Sequence, residues 1–200
     1  MRIKLLCLSL LFLSSICLAG GQKEEELSYA VKQALSKLIE GSTNINTTYL
    51  FPNFIDRNNY IIWKNKVSNK LSRKIPNEIL RSDLIDSIYY EAKRSGLEPE
   101  MVLGLIQVES GFKKYAISVV GARGLMQVMP FWTKTIGDGN PNTLFNMQVN
   151  LRYGCTILRH YIDREKGILF LALGRYNGSR GRSEYPNLVL GAWNQWKNIR

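Results

Sequence analysis

Cysteine and histidine are both scarce in this chain of 200 residues, which has three cysteines and one histidine. Cys7 and Cys17 fall within residues 1–21, so the rest of the chain keeps only Cys155. A lone cysteine cannot form an internal disulfide, so the fold beyond residue 21 must be held by its core. We expect Cys155 to be a small buried residue. The single histidine, His160, is out of helical phase with it and does not suit a catalytic thiol–imidazole pair.

Acidic residues are also few, with 16 Asp and Glu against 27 Lys and Arg and a formal net charge of +11. Residues 1–21 contain two of the basic residues and no acidic one, which leaves 25 minus 16, or +9, for the remainder. This excess suits an acidic partner, either a cell-wall polymer or a membrane surface contacted peripherally. A basic surface can also serve solubility alone. No nucleic-acid-binding module is recognisable, so we expect no nucleic acid partner.

No apolar run is long enough for a comfortable membrane span, because the longest covers only residues 5–18. Basic residues precede this run and small residues, 19–21, follow it. The pattern is typical of a secretory signal peptide over residues 1–21, and it predicts an exported protein. A retained anchor and lipidation at Cys17 are the less favoured alternatives.

The hydrophobic periodicity predicts a mostly α protein without strands or internal repeats. Helices are expected at residues 24–40, 59–74, 77–95, 99–110, 125–129, 130–136, 146–166, 168–176 and 187–196. Residues 22–76 form a helical extension of unknown role, and residues 77–200 form the main domain. Apolar side chains expected to share buried faces include Leu27, Val31, Ala34, Leu35, Leu38, Ile62, Val67, Leu71, Leu80, Leu84, Ile85 and Ile88.

One carboxyl group, that of Glu109, lies at the end of a short and almost wholly apolar helix. Pro99 suits the first helical position and Gly111 suits the position just beyond the end. Residues three and four apart share a helix face, so Glu109 lies with Ile106 and Leu105. Loss of hydration there raises the pKa of a carboxyl group, and a helix C-terminus acts in the same direction. A general acid needs this property, although periodicity alone also allows a glutamate that reaches water.

The residues after Glu109 resolve that choice through a resemblance. Glu-Ser-Gly-Phe at 109–112, Gly-Ala-Arg-Gly-Leu-Met-Gln-Val-Met-Pro at 121–130 and Ala-Leu-Gly-Arg-Tyr-Asn-Gly at 172–178 occur in order. Together with Ser118, they resemble the family 1 lytic transglycosylases over roughly residues 84–196. The resemblance implies a lysozyme-like fold, an enzyme in the periplasm or cell envelope, and peptidoglycan glycan strands as the substrate.

The same resemblance implies roles for individual residues. Glu109 would protonate the glycosidic oxygen between N-acetylmuramic acid and N-acetylglucosamine, and would then accept the C6 hydroxyl proton as a 1,6-anhydro ring closes. Ser118, Gln127 and Met129 would line the saccharide sites. Tyr176 and Asn177 match a Tyr-Asn motif whose tyrosine hydroxyl lies near the glutamate. No metal and no cofactor are required.

Glycoside hydrolysis normally needs a second carboxylate, and none occurs between Glu109 and Asp138. Distant acids such as Asp163 or Glu184 stay open as candidates. The motif that commonly reads Ala-Tyr-Asn-Ala-Gly is Arg-Tyr-Asn-Gly-Ser here, at 175–179. Two alternatives remain: a hydrolytic goose-type lysozyme, and a non-catalytic peptidoglycan-binding component of an envelope-spanning machine. We expect a monomer, with a secretion or pilus machine as a further partner.

Overall fold

The computed structural model describes residues 21–40 and 54–199, and these ranges contain helices but no strand. The helices are α1 Tyr29–Ile39, α2 Phe54–Leu71, α3 Glu78–Arg94, α4 Pro99–Glu109, α5 Phe131–Ile136, α6 Met147–Arg164, α7 Leu169–Asn177 and α8 Glu184–Lys197, with a 3-10 helix at Pro141–Phe145. The mostly α prediction is confirmed. Most of the predicted signal peptide, with Cys7 and Cys17, lies outside the described residues.

Local capping groups define several helix starts, as the sequence predicts for α6. The Asn146 side chain accepts a hydrogen bond from Val149 N at 3.1 Å, and Asn77 accepts one from Leu80 N at 3.0 Å. Each satisfies a backbone donor that the first helical turn leaves without a partner. The starts of α3 and α6 are therefore encoded within a few residues of sequence.

The first helix begins at Tyr29, later than the predicted residue 24, because interactions with distant residues hold the preceding stretch. Ser28 caps α1, and its side chain accepts from Val31 N at 3.4 Å. Before it, Glu25 forms ion pairs with Arg164 at 2.6 Å and Arg175 at 2.7 Å. Residues 21–28, which we call the N-terminal strap, therefore run outside any helix against α6 and α7.

Three other predicted helices differ from the structure. The helix expected at residues 59–74 begins earlier and ends earlier, as α2 at Phe54–Leu71. Residues 125–129 form turns with an isolated antiparallel bridge between Arg123 and Val128, because Gly124 and Gln127 both have positive φ angles. The last helix begins at Glu184, and Asn187 lies inside it rather than capping it. Pro186 fits that first turn because the backbone N–H groups there have no intrahelical acceptor, so the N–H that proline lacks is not needed.

One core cluster joins the N-terminal extension to the rest of the chain. Leu35 of α1 and Val67 and Leu71 of α2 are buried in the same cluster as the apolar side chains of α3, α4, α6 and α7. Cys155 is also buried there, as expected. The expected core positions that are instead exposed are Ala34, Leu38, Ile62 and Leu80. These lie on the outer sides of their helices, where no other element within residues 21–40 and 54–199 covers them.

The basic helix α2 packs on the main domain through its lysines as well as its apolar side. The ammonium group of Lys70 lies 4.3 Å from the ring centre of Trp196, and that of Lys74, just beyond the end of the helix, lies 5.7 Å from the ring centre of Phe112. Lys64 pairs with Asp86 of α3 at 2.6 Å. Cation–π contacts at partly exposed sites are each worth about 0.5–1 kcal/mol. Part of the charge of α2 thus attaches the extension to α8 and α3.

A buried polar network joins α3 to α6. Glu91 has no exposed surface and accepts hydrogen bonds from Gln148 at 2.6 Å and from Arg152 Nε at 3.0 Å. Arg94 adds a third contact at 3.3 Å. A buried carboxylate requires such partners because it has lost its hydration. Along residues 21–40 and 54–199, no helix has both the length and the apolarity needed to cross a membrane.

Candidate active site

The carboxyl group of Glu109 lies at the end of α4, in the interior of the protein. Val102, Leu105 and Ile106 on the preceding turns are completely buried, and Glu109 itself has 0% exposure. Helix α4 packs mainly against α8 and also against α3. Gly104 permits the close approach to α8, since an added Cβ would lie 2.6 Å from Trp193 N. The apolar helix therefore carries the carboxyl group at its C-terminal end into the protein interior.

Tyr185 of α8 is the hydrogen-bond partner that the structure gives to Glu109. Its hydroxyl donates to Glu109 Oε1 over 2.5 Å, and Tyr185 is itself buried. Burial raises the pKa of Glu109 to about 8, while the hydrogen bond from Tyr185 acts in the opposite direction. Because desolvation is the larger effect, the carboxyl group is mainly protonated at neutral pH. This is the protonation state that a general acid requires.

Tyr176 of α7 lies beside this pair but donates its hydrogen bond elsewhere. Its hydroxyl donates to the backbone oxygen of Met126 over 2.7 Å. Burial raises the pKa of Tyr176 well above its usual value, and the charge of Glu109 raises it further. Glu109, Tyr176 and Tyr185 thus form one electrostatically coupled cluster, which we call the acid cluster. The resemblance implies that the Tyr176 hydroxyl lies near Glu109, and the structure adds Tyr185 as a hydrogen-bond donor to Glu109.

Gln127 holds the loop that carries Met126 in position. Its side-chain nitrogen donates to Gly124 O at 2.8 Å and to Ala116 O at 3.2 Å, and the residue is almost wholly buried. Its backbone adopts φ +49°, so the turn directs the side chain inward. Asn150 of α6 fixes the same loop by accepting from Met126 N at 2.9 Å. In this structure the Gln127 amide donors bind the loop itself.

Ser118 and Met129 lie at opposite ends of that loop. The Ser118 hydroxyl oxygen accepts from Ala122 N at 3.0 Å and closes an outer turn, so it supports the loop backbone. Met129 is half-buried and packs against the core. Its backbone N–H donates to the Gln22 side-chain oxygen over 3.2 Å. Ser118 is therefore joined to the acid cluster only through the loop, whereas Met129 lies against the N-terminal strap.

Asn177 ends α7 next to Tyr176 and also contacts the strap. Its backbone oxygen accepts from Gly21 N at 3.0 Å. The following residue, Gly178, has φ +79°, and an added Cβ there would lie 2.0 Å from the Gly21 oxygen. Glycine is thus required both by the backbone conformation and by the close passage of the strap.

The sequence interpretation missed Tyr185 because no local pattern identifies it. It lies 76 residues from Glu109, outside the motifs of the resemblance. The open candidates for a second carboxylate are not among the groups that shift the pKa of Glu109. Glu184 is exposed, and Asp163 is an exposed partner of Arg159. Within the described residues no group of His, Cys, Asp and Glu side chains could hold a metal ion.

Comparisons with known proteins identify the family of this chain. The family model described as "Transglycosylase SLT domain" matches residues 86–188, just over half of the chain. The match includes Glu109 and all three motifs. The chain therefore belongs to the transglycosylase SLT domain family.

Curated relatives match over shorter stretches. Membrane-bound lytic murein transglycosylase C of Actinobacillus pleuropneumoniae is 41% identical over 78 residues, covering 34% of this chain and 20% of the relative. The transglycosylase of the enterobacteria phage PRD1 is 35% identical over 89 residues, covering 44% of this chain and 32% of the relative. The matches thus span a fifth to a third of the length of these relatives.

A solved structure covers more of the chain at lower similarity. The lytic transglycosylase Slt from Pseudomonas aeruginosa, in an inactive mutant form, shares 18% sequence identity at a TM-score of 0.46. The alignment covers 91% of this chain and 36% of that one.

Proposed function

We propose that this protein is an exported lytic transglycosylase that cleaves the β-1,4 bond between N-acetylmuramic acid and N-acetylglucosamine in peptidoglycan and forms 1,6-anhydro-muramic acid ends. The observation that carries the proposal is the buried carboxyl group of Glu109, whose pKa burial raises to about 8. Membership of the transglycosylase SLT domain family supports the same reaction class and a lysozyme-like architecture.

The reaction uses one carboxyl group twice. Protonated Glu109 donates its proton to the glycosidic oxygen as the bond from that oxygen to C1 of the muramic acid breaks. The N-acetyl group of the same sugar stabilises the positive charge that develops at C1. Glu109, now a carboxylate, accepts the proton of the C6 hydroxyl as the C6 oxygen bonds to C1. A group with a pKa near neutrality can both donate and recover a proton efficiently.

Tyr185 serves this cycle as a positioning residue. Its hydroxyl donates more strongly to the ionised form of Glu109 than to the protonated form, so it stabilises the carboxylate that follows the first step. Burial stabilises the protonated form that begins the cycle. The balance between the two keeps both protonation states within reach. Ser118, Gln127, Met129, Tyr176 and Asn177 remain the proposed residues of the saccharide groove.

The products of digestion test the proposal. Purified peptidoglycan is incubated with the protein, and the muropeptides are analysed by mass spectrometry. We expect muramic acid ends that are lighter by one water than the hydrolytic product, because no water is consumed. Reducing muramic acid ends would instead assign the goose-type hydrolytic reaction. Binding without cleavage would assign the non-catalytic role.

A cell-envelope location is part of the same proposal. Relatives named membrane-bound lytic murein transglycosylase C support it, as does the signal pattern of residues 1–21. The exposed basic residues in and just after α2, including Lys66 and Arg73, suit peripheral contact with an anionic envelope surface. Cell fractionation checks the location. Association with a secretion or pilus machine stays a prediction of the sequence.

A further inference from the structure

The N-terminal strap lies against residues assigned to the saccharide groove. The Gln22 side-chain oxygen accepts from Met129 N at 3.2 Å and from Trp132 Nε1 at 3.1 Å. Gln22 is only 4% exposed, which is unusual for a glutamine that lies outside any helix.

The Gln22 side chain also lies near the acid cluster. It lowers the pKa of Tyr176, against the larger raising effects of burial and of Glu109. Two N–H donors, those of the Met129 backbone and of the Trp132 indole, converge on the Gln22 side-chain oxygen.

The Met129 N–H and the Trp132 indole N–H form a small binding position around the Gln22 side chain, which we call the notch. The chemistry of the notch matches part of the proposed substrate. Every sugar of a peptidoglycan strand carries an acetamido group, which has the same carbonyl oxygen and amide nitrogen as a glutamine side chain. Two N–H donors that converge on one point can bind the carbonyl oxygen of an acetamido group as they bind that of a glutamine side chain. The indole and the half-buried Met129 add the apolar surface that a sugar face needs.

The burial of Glu109 shows that this arrangement is closed to substrate. A general acid must lie within hydrogen-bond distance of the oxygen that it protonates. With 0% exposure, Glu109 offers no surface to a glycosidic oxygen. Some covering group must therefore move before the reaction. The strap is attached through a few polar contacts, two partly exposed ion pairs and the half-buried Leu27, so it can be displaced more easily than the packed helices α4 and α8.

We propose that the N-terminal strap is an autoinhibitory segment, in which Gln22 occupies the position of a substrate acetamido group and must leave before a glycan strand reaches Glu109. This inference rests on the proposed function for the identity of the glycan. The strap and the glycan compete for one notch, so weakening the strap raises the fraction of open protein. Apparent affinity rises in proportion to that fraction.

The test compares three single substitutions in the full chain. Gln22→Ala removes the carboxamide from the notch, and Glu25→Ala removes the ion pairs with Arg164 and Arg175 without touching the notch. Lys23→Ala is the matched control, since Lys23 lies on the same segment with its side chain exposed. Initial rates of peptidoglycan solubilisation are measured for each, together with the thermal unfolding midpoint. We expect a rise of about threefold to tenfold for Gln22→Ala and Glu25→Ala, and none for Lys23→Ala.

Binding gives a second readout that needs no turnover. Each substitution is combined with Glu109→Gln, and the affinity for an N-acetylglucosamine tetramer is measured by calorimetry. We expect tighter binding by a similar factor for Gln22→Ala and Glu25→Ala. Unchanged or lower rates and affinities for both variants, in protein that remains folded, would overturn the proposal that the strap is autoinhibitory. If the wild type makes no anhydro product but the affinities shift as expected, the proposed reaction fails while the strap stands.

Discussion

The hydroxyl of Tyr185 donates a hydrogen bond of 2.5 Å to Glu109 Oε1, and both residues are buried between α4 and α8. A hydroxyl donor to a carboxyl group stabilises the ionised form, whereas burial stabilises the protonated form. The pKa of about 8 is the outcome of these opposed effects, with burial the larger. The contact between two helices that are far apart in the sequence thus tunes the one group that the proposed reaction uses twice.

Replacing Glu109 with Gln removes the proton donor while keeping the size and burial of the side chain. We expect the rate of anhydro-product formation to fall by about 10² to 10⁴, the usual contribution of general acid–base catalysis. Glu184→Gln is the matched control, because Glu184 is exposed and directly precedes Tyr185. Its rate should equal that of the wild type. Retention of wild-type activity by Glu109→Gln would show that another group is the acid.

The pH dependence of the rate should report the pKa of Glu109. Only the protonated form can begin the reaction, so kcat/KM should fall as the pH rises past about 8. Tyr185→Phe removes the interaction that lowers this pKa, and should move the alkaline limb upward by about one unit. A lower kcat should accompany that shift.

Tyr176→Phe provides the comparison for this experiment. The Tyr176 hydroxyl donates to Met126 O, not to Glu109, so its removal should leave the alkaline limb in place. Profiles of wild type, Tyr185→Phe and Tyr176→Phe are recorded on a soluble peptidoglycan fragment. If the alkaline limb of the kcat/KM profile falls at the same pH in the wild type and in Tyr185→Phe, the assigned role of Tyr185 is wrong.

Stability should depend on pH through the same carboxyl group. Below pH 4.5, Glu109 is protonated in both the folded and the unfolded state. Between pH 4.5 and about 8 the unfolded state loses this proton and the folded state keeps it. The free energy of unfolding therefore declines over that window through Glu109, by about 1.4 kcal/mol for each pH unit.

Glu109→Gln should lack this decline. Its free energy of unfolding, measured in urea at pH 5 and pH 8, should rise relative to that of the wild type at the higher pH. Glu184→Gln should follow the wild type, because an exposed carboxyl group keeps its ordinary hydration. If the free energy of unfolding changes between pH 5 and pH 8 by the same amount in Glu109→Gln and in the wild type, the folded protein does not hold the Glu109 carboxyl group in its protonated form.

The contact between α4 and α8 can be tested with two glycines. An added Cβ at Gly104 would lie 2.6 Å from Trp193 N and 2.9 Å from Trp193 Cα, so Gly104→Ala must push the two helices apart. We expect a loss of about 1–3 kcal/mol in the free energy of unfolding, with reduced activity because Tyr185 moves with α8.

Gly191→Ala is the matched substitution on α8. No atom lies within 4 Å of a Cβ at Gly191, and alanine favours helix more than glycine does. We expect a gain of up to about 1 kcal/mol with unchanged activity. Urea denaturation measures both variants, and equal effects would argue against a tight interface at Gly104.

The sequence by itself determined the elements whose signals are local. Pro99 at the start, an apolar run and Gly111 beyond the end defined α4, and Asn77 and Asn146 defined the starts of α3 and α6. The apolar neighbours of Glu109 on its own helix were enough to predict a raised pKa. The motifs around it pointed to the family that the comparison confirms over residues 86–188. These features depend on residues within one or two turns of each other.

Only the tertiary structure decided which distant side chains complete the site. Tyr185 reaches Glu109 across 76 residues of chain because Gly104 lets α8 pack tightly on α4. Gln22 reaches Trp132 across 110 residues because ion pairs of Glu25 hold the strap against α6 and α7. Periodicity records which face of a helix is apolar, but not which other segment covers that face. Contacts between remote segments follow from the packing of the whole chain, so no local pattern contains them.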